Sequence, residues 1–383
     1  MKNVIYDRYV LLDVFRGLAI LWIVCFHLLD NVRENYGFIL SHIINYGYLG
    51  VPIFFVISGY GISKSISDRA LYFDKSHLFL LPRLKRIYFC YWWHLLFVVL
   101  IIPFFSALVS MLKTSTFNIS LVKYSAVEWL KIITLVKVFS AVSWRLNLAF
   151  LPINGVVWYI AIIVQIYIFV YICLCFERRS YALLFFGFIA SLLTYIPKVK
   201  ALLPCGLFVP YFAEFYIGFV VYLLLKADMV PKKALTKITT LLFLTIILLY
   251  CFLIVVYFLS LSFAIMTGFV CLVMYKYDSA FNRLFISRLF YFVGTFSYSL
   301  YLLHVPLSRF VEMFVRNLGC MSQAISYPFI LVPTVIILSY FWYLFFEKPS
   351  TQRKVIECIL SPIDTLVAGF RIFKGIAAGK NNE

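Results

Sequence analysis

Charge, and acid in particular, is scarce in this sequence. Only 13% of its 383 residues are charged, and 16 Asp and Glu stand against 34 Lys and Arg. Soluble domains carry about one-quarter charged residues, so this composition excludes an ordinary soluble protein. The chain also contains no Gly-x-Ser-x-Gly elbow and no P-loop, and nothing therefore indicates an α/β-hydrolase or a P-loop ATPase.

Disulfide and metal patterns are missing as well. Nine cysteines are scattered along the chain, and they form neither a disulfide framework nor a paired CxxC zinc pattern. No His, Asp and Glu residues show metal-ligand spacing, so we expect no metal. The net charge of +18 could suggest nucleic acid, but no basic patch with interleaved aromatic residues lies outside the apolar runs. We therefore expect no nucleic-acid partner and expect the basic residues to face anionic membrane lipids.

The sequence consists mainly of long hydrophobic runs. Hydrophobic residues make up 64% of the chain, and a transmembrane helix needs about 20 consecutive apolar residues. Ten runs qualify as spans: 9–29, 47–66, 87–111, 155–175, 181–197, 206–225, 237–258, 260–275, 289–309 and 325–346. We therefore predict an all-α fold, a polytopic membrane helix bundle of about ten transmembrane helices.

The segment 123–142 and the distribution of charge decide the predicted topology. Because the segment contains Glu128 and several lysines, we interpret it as an amphipathic helix on the membrane surface; if it spans, the count is eleven. With ten spans, most Lys and Arg fall on the side of the N-terminus, so the positive-inside rule places both termini in the cytoplasm. The chain then divides into a transmembrane domain, residues 1–346, and a short basic cytoplasmic tail, residues 347–383.

Three ionisable residues interrupt the first span. Arg16 and His27 are eleven residues apart, so they differ by only about 20° around the helix and lie roughly 16 Å apart along it. Asp13 precedes Arg16 by one turn on the same stripe, and a charge at the bilayer centre costs at least about 3 kcal/mol. The stripe must therefore face protein or a wet cavity. Either it forms an anion site at Arg16 and a proton-transfer site at His27, or Asp13 and Arg16 merely pair while His27 caps the outer rim.

The sequence around this stripe resembles a known family. The spacing of Arg16 and His27 within "LDVFRGLAILWIVCFH" matches the R-x10-H motif of acyltransferase family 3, the bacterial integral-membrane O-acyltransferases. Four further stretches are similar to that family: "GVPIFFVISGYGIS", "RLKRIYFCY", "FSYSLYLLHVPL" and "FEKPS". The chain departs from many members at Pro52, where they carry an acid, and in 158–165, which has no Glu. The motif "VPIFFVISGY" indicates the branch with this proline and without that acid.

The resemblance implies an activity and its partners. It implies an O-acyltransferase, above all an acetyltransferase, in a bacterial inner membrane. The donor would be a cytoplasmic acyl-CoA, above all acetyl-CoA, and the acceptor a cell-surface glycan or its lipid-linked precursor. His27 would then be the general base, since a neutral imidazole can remove a hydroxyl proton near neutral pH. Arg16 would serve the reaction by holding the donor, and Asp13 would orient Arg16.

Polar and small residues in the second and third spans are candidates for the donor site. Arg83 and Arg86, with Lys85 between them, could bind the phosphates of acyl-CoA or only lipid headgroups. Ser58 and Gly59 leave room for close approach, and the occupant could be either another helix or the slender arm of the donor.

Three more residues inside apolar runs need an explanation. Tyr301 and His304 share one face of the ninth predicted span, and His304 could be a second site residue or a buried structural histidine. Glu214 lies in the sixth predicted span and requires a partner or a wet wall, so its role is open.

A secondary transporter is the alternative from another functional class. It would use Asp13, Arg16, His27 and Glu214 as a path for protons or substrate. Many transporters consist of two related halves with broken helices, and the sequence shows no such pairing. Acyl transfer from radiolabelled acetyl-CoA would distinguish the enzyme from the transporter.

Overall fold

The computed structural model describes most of the chain, and the described residues contain helices and no strand. The residues that it leaves out are 1–9, 70–76, 115–123, 142, 144, 151–152, 177–179, 227–259, 269, 272–284, 316–322, 349 and 352–383. The helices are α1 (Val10–Leu28), α2 (Gly37–Asn45), α3 (Gly50–Arg69), α4 (His77–Leu96), α5 (Ile102–Thr114), α6 (Ala126–Ile133), α7 (Trp158–Cys175), α8 (Ser180–Leu193), α9 (Pro197–Ala201), α10 (Phe212–Lys226), α11 (Phe285–Thr295), α12 (Ser297–Val315), α13 (Gln323–Ser326) and α14 (Val332–Trp342). Residues 260–268 are helical as well. The predicted helical bundle is confirmed for this part of the chain.

Helices of membrane-crossing length are present among the described residues. Five helical segments are long and apolar enough to cross a membrane: Arg33–Ser67, Phe79–Phe105, Gly155–Cys175, Val209–Lys226 and Gln323–Glu347. Each overlaps one predicted run, and the runs at 9–29, 181–197 and 289–309 coincide with α1, α8 and the α11–α12 pair. The run 237–258, the end of the run 260–275 and the tail 352–383 lie outside the described residues. The total number of spans and their orientation stay predictions.

Local conformation changes three of the predicted boundaries. The helix of the third predicted span, α4, begins at His77 rather than near residue 87. The basic cluster that precedes this span in the sequence is therefore itself helical. The sixth run loses its first residues because Gly206 adopts a left-handed φ of 83° and the chain turns there. In its described residues, the segment 123–142 contains the eight-residue helix α6, which ends at Ile133, and a 3₁₀ helix, Val136–Ser140, that follows Leu135 with its left-handed φ of 65°. Eight residues rise only about 12 Å, so α6 does not span.

Helix α7 lies in the segment with the largest buried share among the five of membrane-crossing length. Its residues are apolar apart from Gln165, and Ile160, Ile162, Ile166 and Val170 are fully buried. Helices α4 and α8 both pack against α7, and Tyr159 of α7 lines one of the cavities described below.

Glycines bring two helix pairs into backbone contact. An added Cβ on Gly17 of α1 would lie 1.9 Å from the carbonyl oxygen of Phe290 in α11, and one on Gly294 would lie 1.8 Å from that of Asp13. Helices α3 and α10 meet in the same way, with Gly59 against Phe215. Small residues permit such close crossings, which are typical of helix packing in membranes.

These crossings hold α1 in the interior of the bundle. Helix α1 packs against α3, α11 and α12, and its Asp13 and Ile20 are buried. Leu18 on another face is exposed. The charged stripe of α1 therefore faces protein, as expected from the cost of placing charge in lipid.

The glycine contacts predict a stability difference between two neighbouring positions of α3. A Cβ at Gly59 would lie 1.9 Å from the carbonyl oxygen of Phe215, whereas a Cβ at Gly61 would meet nothing within 4 Å. We expect Gly59→Ala to destabilise the bundle by about 1–3 kcal/mol through overpacking, and Gly61→Ala to leave its stability equal or higher. Thermal unfolding of the two variants in detergent measures this, and equal melting temperatures would contradict the packing of α3 on α10.

Candidate functional site

Two cavities lie along the charged stripe of α1. The first, the arginine cavity, has a volume of about 300 Å³ and is lined by Arg16, Ser58, Gly61, Arg83, Arg86, Tyr159, Tyr167, Thr295, Ser297, Tyr298, Tyr301 and Glu347, with apolar residues between them. The second, the histidine cavity, has a volume of about 720 Å³ and is lined by His27, Tyr48, Asn147, Trp158, Thr194, Tyr195, Lys200, Tyr211, Glu214, Ser260, Tyr301 and Arg309, again with apolar residues between them. Arg16 and His27 thus open into different cavities.

Arg16 is held by the acid one turn before it. Its Nη1 donates to Asp13 Oδ1 at 2.7 Å, and the Asp13 side chain is almost fully buried while that of Arg16 is 33% exposed. The carboxylate therefore fixes one side of the guanidinium and leaves the other toward the arginine cavity. The ion pair of Asp13 with Arg16 is present in the structure, and both interpretations of the stripe include it.

Helix α4 contributes two more guanidinium groups to the arginine cavity. Arg83 lies over the Phe79 ring, 4.4 Å from its centroid, and Nη1 donates to the Phe79 carbonyl oxygen at 2.9 Å. Arg86 donates Nη2 to Glu347 Oε1 at 2.9 Å. The three arginines that the sequence proposed for phosphate binding therefore line one cavity.

Glu347 is a site residue to which the sequence analysis gave no role. It is buried, and its Oε2 accepts hydrogen bonds from the backbone N–H of Ser299 at 3.0 Å and from the Ser299 hydroxyl at 2.7 Å. With Asp13 and Glu347 counted, guanidinium groups still outnumber carboxylates by three to two among the described residues of this cavity. The cavity therefore carries an excess of positive charge suited to an anion.

The small residues of α3 have two different positions, at the arginine cavity and at the contact with α10. Ser58 and Gly61 line the arginine cavity, whereas Gly59 is turned toward the backbone of α10. Of the two candidates for the donor arm, only Ser58 faces the cavity. Gly59 serves the other of the two uses that the sequence left open, the contact between helices.

His27 lines the histidine cavity, and the buried His304 lies beside it. His27 is exposed to the cavity, and its ring centroid lies 5.2 Å from that of the buried His304. His304 Nδ1 is 2.8 Å from the carbonyl oxygen of Tyr301 and 3.2 Å from that of Leu300. Because carbonyl oxygens only accept hydrogen bonds, Nδ1 carries the proton. Nε2 is then an acceptor, and it has no partner among the described residues.

Glu214 lies on α10 in the wall of the histidine cavity. The residue is only 2% exposed, and Oε1 accepts hydrogen bonds from the Tyr195 hydroxyl at 3.2 Å and the Ser260 hydroxyl at 3.1 Å. Oε2 is buried and has no partner among the described residues. The structure thus places Glu214 in the same cavity as His27, which the sequence could not predict.

A single layer of aromatic rings separates the two cavities. Tyr301 lines both of them, and its ring centroid is 5.3 Å from that of Tyr159 and 6.3 Å from that of Phe54. Tyr159 and Phe54 line the arginine cavity only. The Tyr301 hydroxyl donates to the Val156 carbonyl oxygen at 2.7 Å, which fixes the ring in this position. Tyr301 is a candidate from its position in the sequence, but its place between two cavities depends on contacts between distant segments.

The arrangement offers two chemical environments on one helix. The arginine cavity can hold an anionic molecule with charge-assisted hydrogen bonds, and the histidine cavity presents an imidazole and a carboxylate to a polar one. No group of three or more His, Cys, Asp and Glu residues in the described part of the chain is placed to hold a metal ion.

Comparison with known proteins identifies the family of the chain. No curated protein and no solved structure matches it. The family model described as an acyltransferase domain, that of acyltransferase family 3, matches residues 9–344. This range contains every residue of the histidine cavity and, apart from Glu347, every residue of the arginine cavity. The apolar helices are those of an integral membrane protein. The chain therefore belongs to acyltransferase family 3.

Proposed function

We propose that the protein is a membrane O-acetyltransferase that moves an acetyl group from cytoplasmic acetyl-CoA to a hydroxyl of a cell-surface polysaccharide or its lipid-linked precursor. One observation carries the proposal: α1 presents Arg16 to a cation-rich cavity and His27 to a second cavity, with one layer of rings between them. An acyl transfer that begins on an anionic donor and ends on a neutral hydroxyl needs these two environments. The family supports an acyltransferase rather than the transporter alternative.

The arginine cavity is the proposed donor site. Arg16, Arg83 and Arg86 converge on it, and arginine forks bind phosphate oxygens bidentately. The positive-inside prediction places this end of α1 in the cytoplasmic half of a bacterial inner membrane, where acetyl-CoA is available. The phosphates of the donor would bind at the three guanidinium groups, with the thioester arm extending past Ser58.

The ring layer is the proposed passage for the thioester. Arg16 and His27 are eleven residues apart on α1, roughly 16 Å along its axis. The arm must therefore enter between Phe54, Tyr159 and Tyr301 to bring the acetyl carbon to His27. Opening this path would require the Tyr301 hydroxyl to leave the Val156 carbonyl oxygen, so that the ring can rotate out of its present position.

His27 is the proposed general base of the transfer. Its imidazole removes the proton from the acceptor hydroxyl while the oxygen bonds to the thioester carbon. The carbon–sulfur bond then breaks, and the proton passes from His27 to the departing thiolate. His304 is the proposed positioning residue for His27. Its Nε2 can only accept a hydrogen bond and has no partner among the described residues. In the proposed reaction the neighbouring His27 ring turns one N–H to it, which leaves the other His27 nitrogen with a lone pair for the acceptor.

Replacement of His27 tests the catalytic assignment. We expect His27→Ala to abolish acetylation of the surface glycan, since the hydroxyl then lacks a base, while the variant reaches the membrane at normal level. His42→Ala is the matched control, because His42 is exposed on α2 and lines neither cavity. The acetyl content of the glycan is measured by mass spectrometry, and normal acetylation in the His27 variant refutes the assignment.

Replacement of Arg16 tests the donor site. Hydrogen bonds to charged groups contribute about 1.5–3 kcal/mol, so we expect Arg16→Gln to raise the KM for acetyl-CoA about 10- to 100-fold. Arg33→Gln is the control, because Arg33 also pairs with an acid on its own segment, Asp30, but lines neither cavity. The KM is measured with radiolabelled acetyl-CoA and purified protein. Similar KM values for the two variants would place the phosphates elsewhere.

A further inference from the structure

The carboxylate of Glu214 has no task in the transfer described above. It lies in the wall of the histidine cavity and forms no ion pair among the described residues, although Lys200 in the same wall attracts its charge. Its two oxygens differ, since Oε1 accepts two hydroxyl hydrogen bonds and Oε2 accepts none from the described residues. The unpartnered oxygen is buried, in a residue that is only 2% exposed.

An unpartnered buried oxygen at a cavity wall indicates a missing donor. Leaving a buried polar group without a hydrogen bond is unfavourable, and more so when the group is charged. Tyr195 and Ser260 fix the orientation of the carboxylate through Oε1, so Oε2 keeps a defined direction. A bound molecule that donates a hydroxyl to Oε2 would satisfy it.

The rest of the histidine cavity indicates what kind of molecule donates that hydroxyl. Its volume of about 720 Å³ lies within the range of small-molecule sites. Both aromatic side chains and polar groups line it: Phe26, Tyr48, Trp158 and Tyr211 among the former, and Asn147, Thr194 and Lys200 among the latter. Such a wall fits a sugar ring, which has apolar faces and a rim of hydroxyls.

We propose that Glu214 binds a hydroxyl of the sugar acceptor other than the one that is acetylated. This inference rests on the proposed function and adds the residue that orients the acceptor. With one hydroxyl fixed at Glu214 Oε2, a second hydroxyl of the same sugar is directed to His27 across the cavity. Glu214 therefore determines which hydroxyl receives the acetyl group.

Glu214→Gln is the variant that tests this binding role. Glutamine keeps the shape of the side chain and an oxygen for Tyr195 and Ser260, but it presents N–H donors where the carboxylate accepts. Glu312→Gln is the matched control, because Glu312 also accepts a tyrosine hydroxyl, that of Tyr327, and lines neither cavity. Should the Glu214→Gln variant be missing from the membrane, Glu214→Asp replaces it, because this change withdraws the carboxylate by one methylene.

The measured quantity is the partition of acetyl groups between glycan and water. Membrane vesicles that contain the cell's own glycan receive radiolabelled acetyl-CoA, and label is counted in glycan and in free acetate after subtraction of the His27→Ala background. We expect the ratio of transferred to hydrolysed acetyl to fall about 10- to 100-fold in Glu214→Gln, as for loss of a hydrogen bond to a charged group. We expect the Glu312→Gln control to keep the wild-type ratio. In Glu214→Gln, we expect the remaining acetyl groups to be found on a second position of the sugar as well.

Each outcome of this experiment has a separate meaning. An unchanged ratio in Glu214→Gln, including a parallel fall in transfer and hydrolysis, overturns the role of Glu214 in acceptor binding. A fall in the ratio in Glu312→Gln of the same size also overturns it, because the effect would then not be specific to the cavity. Wild-type vesicles that neither transfer nor hydrolyse acetyl groups refute the proposed function itself.

Discussion

Hydrocarbon does not tolerate a guanidinium and an imidazole on one helix face, and the packing around α1 follows from that constraint. The cost of a charge at the bilayer centre, at least about 3 kcal/mol, is large relative to most single contacts in a folded protein. Gly17 and Gly294 let α1 and α11 meet backbone to backbone, and α3 and α12 close over other parts of α1. The bundle thereby surrounds the charged stripe and leaves two cavities along it.

A single helix is a suitable element on which to place two different sites. The separation of Arg16 and His27 is fixed by helix geometry rather than by loops or by the packing of two elements, so it does not vary with small movements of the bundle. In the proposed reaction this separation spans the distance between the phosphates and the thioester of the donor. The ring layer around Tyr301 lies between the two cavities that this spacing separates.

Features that depend on one segment could be predicted from the sequence, and those that depend on distant segments could not. The helical bundle and the stripe on α1 follow from hydropathy and from residue spacing, which are local. The ion pair of Arg86 with Glu347 joins residues 261 positions apart, and no periodic pattern in the sequence predicts it. The only indication in the sequence was that Glu347, an acid, directly follows the last apolar run and would need a partner there. Gly59 shows the same limit, because only its neighbour on α10 decides between the two uses of a small residue.

Glu347 and Glu214 show how the structure separates two carboxylates that look alike in the sequence. Each lies at an apolar run and each is 2% exposed. Both oxygens of Glu347 have partners, Arg86 on one side and Ser299 on the other, so this carboxylate is satisfied within the protein and holds Arg86 at the arginine cavity. Glu214 is satisfied at one oxygen only. A buried carboxylate oxygen without a hydrogen bond destabilises the folded protein, and a bound hydroxyl that donates to it would remove this destabilisation. The hydrogen-bond partners of the two acids, rather than their burial, therefore assign them different roles.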